Sequence, residues 1–392
     1  MKPLSRRKSP RRIAGAAAVL LALATGAASV LLGNCGPFTD VAADVFCPFV
    51  LEIFYLGITT GTTATTYDPT SNVSRLQMAA FLSRTVDGVL NRGSRRAALD
   101  QFFTPTTTNA LSVVTIGTDP KGLRSDGADL WVAGNSAGTV TRVRTSDGKV
   151  LETWSSAFAA WSVVVAMGKV FVDGETSPGQ LYRIDPTQTA GAVTIVASNL
   201  GNAPIGLAFD GARIWTGNNS GASVSIVTPG ATLPWTVTTA ASGFTNPWGL
   251  EFDGSNVWVA DAGAGRVFKL DASGAILQTV TVGLSPRYLV FDGSNMWAPN
   301  TGDNTITVFR VSNGNVLQTL TGNGMSQPQG PAFDGQRILV ANSGNDSVSV
   351  WKAADLTPLG NFPTGPAAPV YSASDGVHFW VSLANNVLVA RF

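Results

Sequence analysis

The chain has 392 residues, with 26 basic and 25 acidic side chains, two cysteines and one histidine. Six of the basic residues lie within residues 1–12, which hold no acidic residue, so the rest of the chain is mildly acidic. A mildly acidic protein is a poor nucleic-acid binder, because that affinity depends on neutralising phosphates with basic side chains. We therefore expect no nucleic-acid partner.

Residues 1–29 have the pattern of a secretory signal peptide. The basic segment precedes an Ala-rich apolar run over residues 13–32, and the small residues Ala27, Ala28 and Ser29 offer a cleavage site. This run is also long enough to span a bilayer, so an uncleaved anchor is the alternative. No other apolar run has that length. We expect an exported protein, at the cell surface, in the envelope or periplasm, or secreted, with no transmembrane segment after cleavage.

Residues 30–90 have helical character. Apolar residues recur at helical spacing between Val45 and Leu56, and the segment from Gly57 to Gly61 breaks that helix. A second helix is predicted to begin at Ser74-Arg75-Leu76-Gln77, where the serine hydroxyl and the glutamine side chain form a capping box.

This region resembles a single S-layer homology module. The matching pieces are Phe38-Thr39-Asp40-Val41, Gly57-Ile58-Thr59-Thr60-Gly61, Tyr67-Asp68-Pro69 and Val73-Ser74-Arg75-Leu76-Gln77-Met78-Ala79. The resemblance implies docking on a cell-wall or surface polymer, with Arg75 contacting the anionic glycan beside a helix N-terminus, which itself favours anions. The family usually shows Thr-Arg-Ala-Glu where this chain reads Ser-Arg-Leu-Gln, and binding usually takes three modules. A small helical cap or pairing module is the alternative role.

Cys35 and Cys47 are the two cysteines of the chain. In an exported protein we expect them to form a disulfide across a short loop, worth up to about 3 kcal/mol by chain-entropy reasoning. Lipidation of Cys35 is the alternative.

The composition of residues 91–110 predicts a short basic helix followed by a Thr-rich linker.

From residue 111 to residue 392 the chain repeats one phrase seven times, about forty residues apart. The phrase is a turn dipeptide followed by a strand that usually holds a tryptophan. Two copies are degraded, with Asp334-Gly335 leading to Leu339 and Met167-Gly168 leading to Phe171. In the other five copies an Asp-Gly pair leads to Trp131, Trp215, Trp258, Trp297 or Trp380. Their shared position predicts that these tryptophans pack between repeats.

Each repeat predicts four short strands. Turns rich in Gly, Asn and Asp divide the copy from Pro286 to Gly322 into four segments with strand character: Arg287–Phe291, Asn295–Ala298, Thr305–Phe309 and Val316–Leu320. Such sheets packed radially form a β-propeller. The last repeat ends after three strands, and residues 112–117 match a fourth. We predict an all-β, seven-bladed β-propeller of four-stranded antiparallel blades over residues 111–392, closed by pairing of its N- and C-terminal strands.

The repeats resemble those of bacterial NHL and YVTN propellers and, more loosely, the virginiamycin B lyase-like family. The matching phrases are Trp258-Val259-Ala260-Asp261, Ile338-Leu339-Val340-Ala341-Asn342 and the Pro-x-x-Leu segments that precede them. The resemblance implies the fold, but this fold hosts many functions.

Alternating strand direction predicts which loops share a face. The lead-in segment before each first strand and the loop after each tryptophan strand lie on one face, and the Asp-Gly turns lie on the other. Lead-in residues vary between repeats, and varied loop residues on a repeated scaffold are typical of a binding site. The predicted ligand-binding residues are Lys121, Trp161, Glu175, Trp248, Asp261, Arg287, Tyr288, Asn300 and Asn342. A polar rim without a ligand is the alternative.

The sequence favours a non-catalytic role. His378 is the sole histidine and occupies a polar strand start, whereas the lyase-like propellers use a histidine-based site that one histidine does not supply. We predict no catalytic residue, no metal ligand and no cofactor. Asp173, Glu175 and Asp261 are the candidates for a hard cation such as Ca²⁺. Lactonase-like propellers bind metal through Glu, Asn and Asp, so a metal-dependent lactonase- or lyase-like hydrolase is the alternative.

Together these patterns predict an exported cell-envelope protein. An S-layer homology module tethers it to a cell-wall or surface polymer, and the propeller acts as a non-catalytic surface for a protein, peptide or glycan.

Overall fold

The computed structural model of the chain describes residues 112–392, apart from 118, 241, 242, 366 and 385. In the amino-terminal third it describes residues 37–41, 47, 50, 53, 54, 59, 61–63, 65–74, 77, 78, 81 and 82. The chain divides into two compact units, Met1–Arg96 and Ala97–Phe392. The predicted signal peptide over residues 1–29 and the linker over residues 91–110 lie outside the described residues.

The described part of the second unit forms seven four-stranded antiparallel sheets, here numbered as blades 1 to 7. Blade 1 contains β2 (Pro120–Ser125), β3 (Asp129–Gly134), β4 (Thr139–Arg144) and β5 (Val150–Trp154). Blade 2 contains β6 (Ala160–Ala166), β7 (Lys169–Gly174), β8 (Gly179–Ile184) and β9 (Thr194–Leu200). Blade 3 contains β10 (Pro204–Phe209), β11 (Ile214–Asn218), β12 (Ser223–Thr228) and β13 (Thr236–Ala240). Blade 4 contains β14 (Pro247–Phe252), β15 (Val257–Asp261), β16 (Arg266–Leu270) and β17 (Ile276–Thr281).

The remaining three blades complete the ring. Blade 5 contains β18 (Val290–Phe291), β19 (Asn295–Asn300), β20 (Thr305–Arg310) and β21 (Val316–Leu320). Blade 6 contains β22 (Pro328–Phe333), β23 (Arg337–Asn342), β24 (Ser347–Lys352) and β25 (Pro358–Pro363). Blade 7 contains β26 (Pro369–Ser374), β27 (Phe379–Leu383), β28 (Leu388–Arg391) and β1 (Ser112–Thr115).

Blade 7 confirms the predicted closure of the ring. Strand β1 pairs antiparallel with β28, in a register that runs from Ser112 opposite Arg391 to Thr115 opposite Leu388. Val114 and Ile116 are buried, while Val113 on the alternate side is exposed. Closure therefore joins the two ends of the propeller and covers the edge of β28.

The first strand of every blade lies at the centre. Each contacts the first strands of both neighbouring blades around the full ring, so the seven together line a central channel. Around this channel, buried apolar side chains of adjacent blades form the core clusters, such as Trp131 of blade 1 with Val163 and Tyr182 of blade 2. The core thus lies between blades, because a single four-stranded sheet does not bury both of its faces.

The five repeated tryptophans are fully buried, which confirms their predicted packing role. Each indole N–H also donates to the aspartate of the preceding Asp-Gly turn, over distances of 2.7 to 2.9 Å. The same aspartate accepts turn amide protons through its other oxygen, as Asp292 does from Ser294 and Asn295. One carboxylate thus caps a turn and satisfies a buried indole.

The first strands begin with a distortion that the sequence did not show. In six blades the register shifts shortly after the first residue of the strand, as between Pro120 and Leu123 in blade 1. In blade 5 only Val290 and Phe291 pair as a strand, and Pro286 forms an isolated bridge to Asn300. The predicted strand from Arg287 was therefore too long, because Arg287, Tyr288 and Leu289 lie between the Pro286 bridge and β18, outside the ladder. Bulges redirect side chains, and Arg287 and Tyr288 lie at the end of the channel.

In the described residues of the first unit, the pieces that suggested the module lie together. Phe38 packs against Phe54 and Tyr67, with ring centroids 5.1 and 5.5 Å apart. Asp40 accepts the backbone N–H groups of Tyr67 and Asp68. The predicted capping box is present, since the Ser74 N–H donates to the Gln77 side chain and the Gln77 N–H donates to the Ser74 hydroxyl.

Candidate functional site

The second position of each first strand supplies the end of the channel on the lead-in face. The first position is Pro120 in blade 1, and the corresponding residues of the other blades are Ala160, Pro204, Pro247, Pro286, Pro328 and Pro369. The residues that follow them, at the second position, are Lys121, Trp161, Ile205, Trp248, Arg287, Gln329 and Val370. We call this set of seven side chains the mouth. It departs from the repetition of the rest of the blade, because no residue type except tryptophan occurs twice.

The backbone around the mouth is held in an unusual conformation. In five blades the residue before the first strand has a positive φ, between 44° and 54°, and none of the five is glycine. They are Asp119, Ala159, Ala203, Ser285 and Gln327. Each of their carbonyls accepts an N–H from the loop that follows the second strand of its blade. These bonds offset the cost of the left-handed backbone, which is of order 1–3 kcal/mol per residue, and fix the lead-in segments.

Close approach of the first strands depends on glycine at the third position. A Cβ on Gly122 would lie 2.5 Å from the carbonyl oxygen of Trp161, and one on Gly330 would lie 2.7 Å from that of Val370. Blades 5 and 7 carry Tyr288 and Tyr371 at this position instead. Their rings fill the channel, with centroids 4.5 Å apart and hydroxyl oxygens 2.6 Å apart.

The tyrosine pair is neutral at physiological pH. Burial raises the pKa of Tyr371 well above its usual value, and the neighbouring Tyr288 raises it further. Burial also raises the pKa of Tyr288, although the hydrogen bond with Tyr371 acts in the opposite direction. The rings of Trp161 and Trp248 pack in the same cluster as Tyr288, with the Trp248 and Tyr288 centroids 6.2 Å apart. Both indoles therefore converge on Tyr288 from different blades, and the mouth has an aromatic floor.

Two cations lie over the tryptophans of the mouth. The Lys121 ammonium is 5.1 Å from the ring of Trp161, and the Arg287 guanidinium is 4.4 Å from the ring of Trp248. Cation–aromatic contacts of this kind contribute about 0.5–2 kcal/mol each. The structure thus brings together five of the predicted ligand-binding residues, Lys121, Trp161, Trp248, Arg287 and Tyr288.

The two cations of the mouth, Lys121 and Arg287, differ in whether a carboxylate lies close enough to neutralise their charge. Lys121 forms an ion pair of 2.9 Å with Asp119. Partial burial of the carboxyl raises the pKa of Glu175, and the nearby Lys121 only partly opposes this. Arg287 has no carboxylate within ion-pair distance among the described residues, and its nearest polar partner is Gln329 at 3.4 Å. The mouth therefore has a neutralised side at blades 1 and 2 and a cationic side at blade 5.

Hydrogen-bond donors are in excess at the mouth. In the part of the chain that the structure describes, the indole nitrogens of Trp161 and Trp248 and Nε of Arg287 are buried without a hydrogen-bond partner. Buried polar groups without partners are costly and are uncommon in folded proteins. A ligand or water bound here would have to offer acceptors.

Three other predicted ligand-binding residues lie inside their blades. Asp261, Asn300 and Asn342 are fully buried. Asp261 accepts N–H groups of Thr245, Asn246 and Ala264. The amides of Asn300 and Asn342 each donate to two hydroxyls on the next strand. These three side chains are buried within their own blades, where the Oδ1 atoms of Asn300 and Asn342 have no hydrogen-bond partner among the described residues, and none of the three belongs to the mouth.

Asp173 is also fully buried. Its Oδ1 accepts the Ser162 N–H at 2.6 Å, at the bulge of blade 2, and its Oδ2 has no hydrogen-bond partner. Burial raises the pKa of this carboxyl well above its usual value, and the backbone hydrogen bond from Ser162 only partly opposes this. Burial therefore favours the protonated form of Asp173, a structural residue near the channel.

The candidate cation ligands do not fit a calcium site. Among the described residues, no group of three or more His, Cys, Asp and Glu side chains is placed to hold a metal ion. Asp261 already accepts three backbone N–H groups, and burial disfavours the charged form of Asp173. Ca²⁺ favours several charged oxygens around one point, and these two carboxyls do not supply them.

The channel itself contains two charged residues that sequence reasoning missed. On the Asp-Gly side of the tyrosine pair, the first strands enclose a cavity of about 230 Å³. Arg124 and Glu251 line it from different blades, with a guanidinium nitrogen 3.9 Å from a carboxylate oxygen. Burial raises the pKa of Glu251, and Arg124 lowers it. A signal was present, because the other five blades carry Val or Ala at this fifth position of the strand.

His378 lies on the opposite face from the mouth. It follows the Asp-Gly turn of blade 7, and its Nδ1 is 3.5 Å from Oδ2 of Asp375. In the first unit, Arg75 and Cys35 lie outside the described residues. Cys47 is disulfide-bonded, and its pairing with Cys35 stays a prediction.

Taken together, the described structure is a seven-bladed β-propeller preceded by a segment of the S-layer homology class. Residues 37–79 match the S-layer homology domain. Among solved structures, the propeller is similar to a catalytically inactive variant of virginiamycin B lyase from Staphylococcus aureus with quinupristin. That match has a TM-score of 0.61 and 15% identity, over 72% of this chain and 98% of that one.

A streptogramin B lyase structure is similar to the same extent, with a TM-score of 0.61 and 14% identity over 72% of this chain and 96% of that one. At these identities the likeness shows the fold alone. No curated protein matches the chain. Within the described residues, no helix is long and apolar enough to cross a membrane.

Proposed function

We propose that this protein is exported to the cell envelope, where its S-layer homology domain holds it to an anionic surface polymer. The propeller then presents its mouth as a non-catalytic binding surface for a protein, peptide or glycan. The anchoring half of this proposal is supported by the match over residues 37–79.

One observation supports the binding half most directly. On a scaffold that repeats its buried tryptophans and turn aspartates, the mouth gathers two half-buried tryptophans, two cations over them and donors without acceptors. Such a convergence of aromatic and charged side chains at one end of a channel is typical of binding sites.

The fold likeness to lyases does not by itself favour catalysis here. His378, the sole histidine, is on the Asp-Gly face and contacts the turn aspartate Asp375. The candidate acids of the mouth side are the fully buried Asp173, whose pKa burial raises, and Glu175, whose pKa burial raises against the effect of Lys121. We therefore favour the binding surface over a metal-dependent hydrolase. Stoichiometric Ca²⁺ or Zn²⁺ in the purified protein would contradict this choice.

The anchoring proposal is tested by sedimentation of the purified full-length protein with isolated cell envelopes. We expect Arg75→Ala to weaken binding about tenfold, the effect of losing a charge-assisted contact of roughly 1.4 kcal/mol. Arg84, the other arginine of residues 30–90, provides the matched control, and Arg84→Ala is expected to bind like the unmodified protein. Equal binding by Arg75→Ala would refute docking through this residue.

A further inference from the structure

The two most exposed large apolar side chains of the described propeller lie on the lead-in face. Phe158 is 66% exposed and Leu284 is 65% exposed. Each lies two residues before the first position of its blade, Ala160 or Pro286, and the other blades carry Thr, Asn, Thr, Ser and Ala there. Both residues are therefore large apolar departures from the repeat, on the same face as the mouth.

Both side chains project from backbone that is held in place. The Phe158 carbonyl accepts the Tyr182 hydroxyl, and the following Ala159 has a φ of 50°. The Leu284 N–H donates to Asp303, its carbonyl accepts the Gly302 N–H, and Ser285 has a φ of 54°. Because these loops are already ordered, little further ordering is needed when a partner binds, which favours affinity.

Leu284 and Arg287 flank the cationic side of the mouth within one lead-in segment. Arg287 lies over Trp248 and lacks a carboxylate partner among the described residues, with Nε free of any hydrogen bond. Guanidinium groups bind carboxylates with two parallel hydrogen bonds where geometry permits. A negatively charged hydrogen-bond acceptor is therefore the ligand group that the Arg287 guanidinium favours.

The composition of this surface favours a peptide over a sugar. Tryptophan, tyrosine and arginine side chains dominate the binding energy of protein interfaces. A polyhydroxylated glycan has no apolar side chain to cover Phe158 or Leu284, whereas a peptide has both apolar side chains and carboxylates.

Building on the proposed binding function, we infer that the mouth docks a peptide segment of a protein partner. The segment places a carboxylate against Arg287 and apolar side chains against Leu284 and Phe158, across the aromatic floor of Trp161 and Trp248. The partner is recognised as an acidic–apolar sequence and not by overall charge, because Lys121 on the other side is already neutralised.

The test is selection of phage-displayed random dodecapeptides on the immobilised full-length protein, followed by affinity measurement with the synthetic peptide that is most enriched. We expect enriched sequences that combine Asp or Glu with a large apolar residue. Arg287→Gln should weaken the selected peptide roughly tenfold, and Arg287→Lys should weaken it less. Phe158→Ser and Leu284→Ser should each weaken it several-fold.

Two exposed residues supply matched controls for these variants. Arg266 begins a strand on the lead-in face, and Leu277 is 58% exposed on the outer strand of blade 4. Arg266→Gln and Leu277→Ser are expected to bind the peptide unchanged, and all variants should keep the thermal midpoint of the parent protein.

Three outcomes would overturn the inference: no enrichment, enrichment of sequences without acidic residues, or equal losses in the Leu277 and Phe158 variants. Binding of polygalacturonate in place of peptides, sensitive to Arg287→Gln, would assign the mouth to a glycan instead. These failures are distinguishable from failure of the anchoring proposal, because envelope sedimentation depends on Arg75 and not on the mouth.

Discussion

At the scale of single residues, the turn aspartates explain why the repeat keeps its Asp-Gly pair. Glycine supplies the positive φ of the turn, as at Gly293 with φ 97°. The aspartate is needed for a different reason, because its second oxygen accepts the buried indole N–H of the tryptophan five residues on. In blade 6, where Leu339 replaces the tryptophan, Asp334 pairs with Arg337 instead.

The indole–carboxylate bond is measurable by a double-mutant cycle. Asp292→Asn and Trp297→Phe, singly and together, isolate the 2.8 Å bond between the two side chains. We expect a coupling of about 1.5–3 kcal/mol in urea unfolding, because the acceptor is charged and the donor is buried. A coupling below about 0.5 kcal/mol would show that the bond contributes little.

Substitution by asparagine is expected to change the free energy of unfolding in opposite directions at two fully buried aspartates, Asp173 and Asp261. The pKa of Asp173 is higher in the folded state than in the unfolded state. The carboxyl therefore contributes most to stability at low pH, and this contribution is lost as the pH rises above the pKa of the unfolded state. Asp173→Asn should therefore raise the free energy of unfolding at pH 8, by on the order of 1–3 kcal/mol, with a smaller gain as the pH falls towards about 4.

Asp261 is the control for this measurement. Its carboxylate accepts three backbone N–H groups, so Asp261→Asn places an amide N–H against donors and should lower stability at both pH values. Stabilisation by both substitutions, or by neither, would contradict the raised pKa of Asp173.

At the scale of elements, the closing strand is the contact on which the ring depends. Strand β1 is separated from β28 by nearly the whole propeller sequence, yet the two pair over four residues. Val114 packs with Leu123, Leu130 and Trp380, which joins blade 7 to blade 1.

Alternation along β1 gives a matched pair of substitutions. Val114→Ser removes a side chain that is 8% exposed, while Val113→Ser alters one that is 52% exposed. We expect the first to lower the free energy of unfolding by about 2–3 kcal/mol and the second by less than about 0.5 kcal/mol. Chemical unfolding monitored by tryptophan fluorescence, with light scattering to detect opened and associated rings, measures both. Similar effects would mean that β1 is not the closing strand in solution.

The irregular start of the first strand is the element-scale feature that positions the mouth. Six blades shift register there, and in blade 5 only Pro286 bridges to Asn300 before β18 begins. This interruption keeps Arg287 and Tyr288 out of the ladder that their β-forming neighbours suggested. Proline at the first position removes one ladder donor in six blades, but proline alone does not reveal which of the next residues turn towards the channel.

At the scale of the whole molecule, the blades are repeated but the residues of the mouth are not. The repeat accounts for the blades, their tryptophans and their turns, whereas each residue of the mouth belongs to a different blade. The expected envelope binding belongs to the first unit and the expected peptide binding to the second, and the two proposed assays separate them.

Much of the site was predictable because lead-in residues vary where the repeat is constant. Lys121, Trp161, Trp248, Arg287 and Tyr288 come together as that variation indicated. The sequence did not show that Asp261, Asn300 and Asn342 are buried, because a polar residue after a strand looks the same in sequence whether it faces solvent or hydrogen-bonds within its own blade. It missed Arg124 and Glu251, whose meeting across the channel joins blades 1 and 4.

The sequence by itself determined the number of blades, their four-stranded form and the strand that closes them. These follow from short-range periodicity and from a repeat length that is readable along the chain. Only the tertiary structure decided which polar side chains are buried, how the two tyrosines fill the channel and which cation lacks a counter-charge. Burial and charge pairing are properties of contacts between blades, and residues that are distant in sequence become neighbours only when the ring closes.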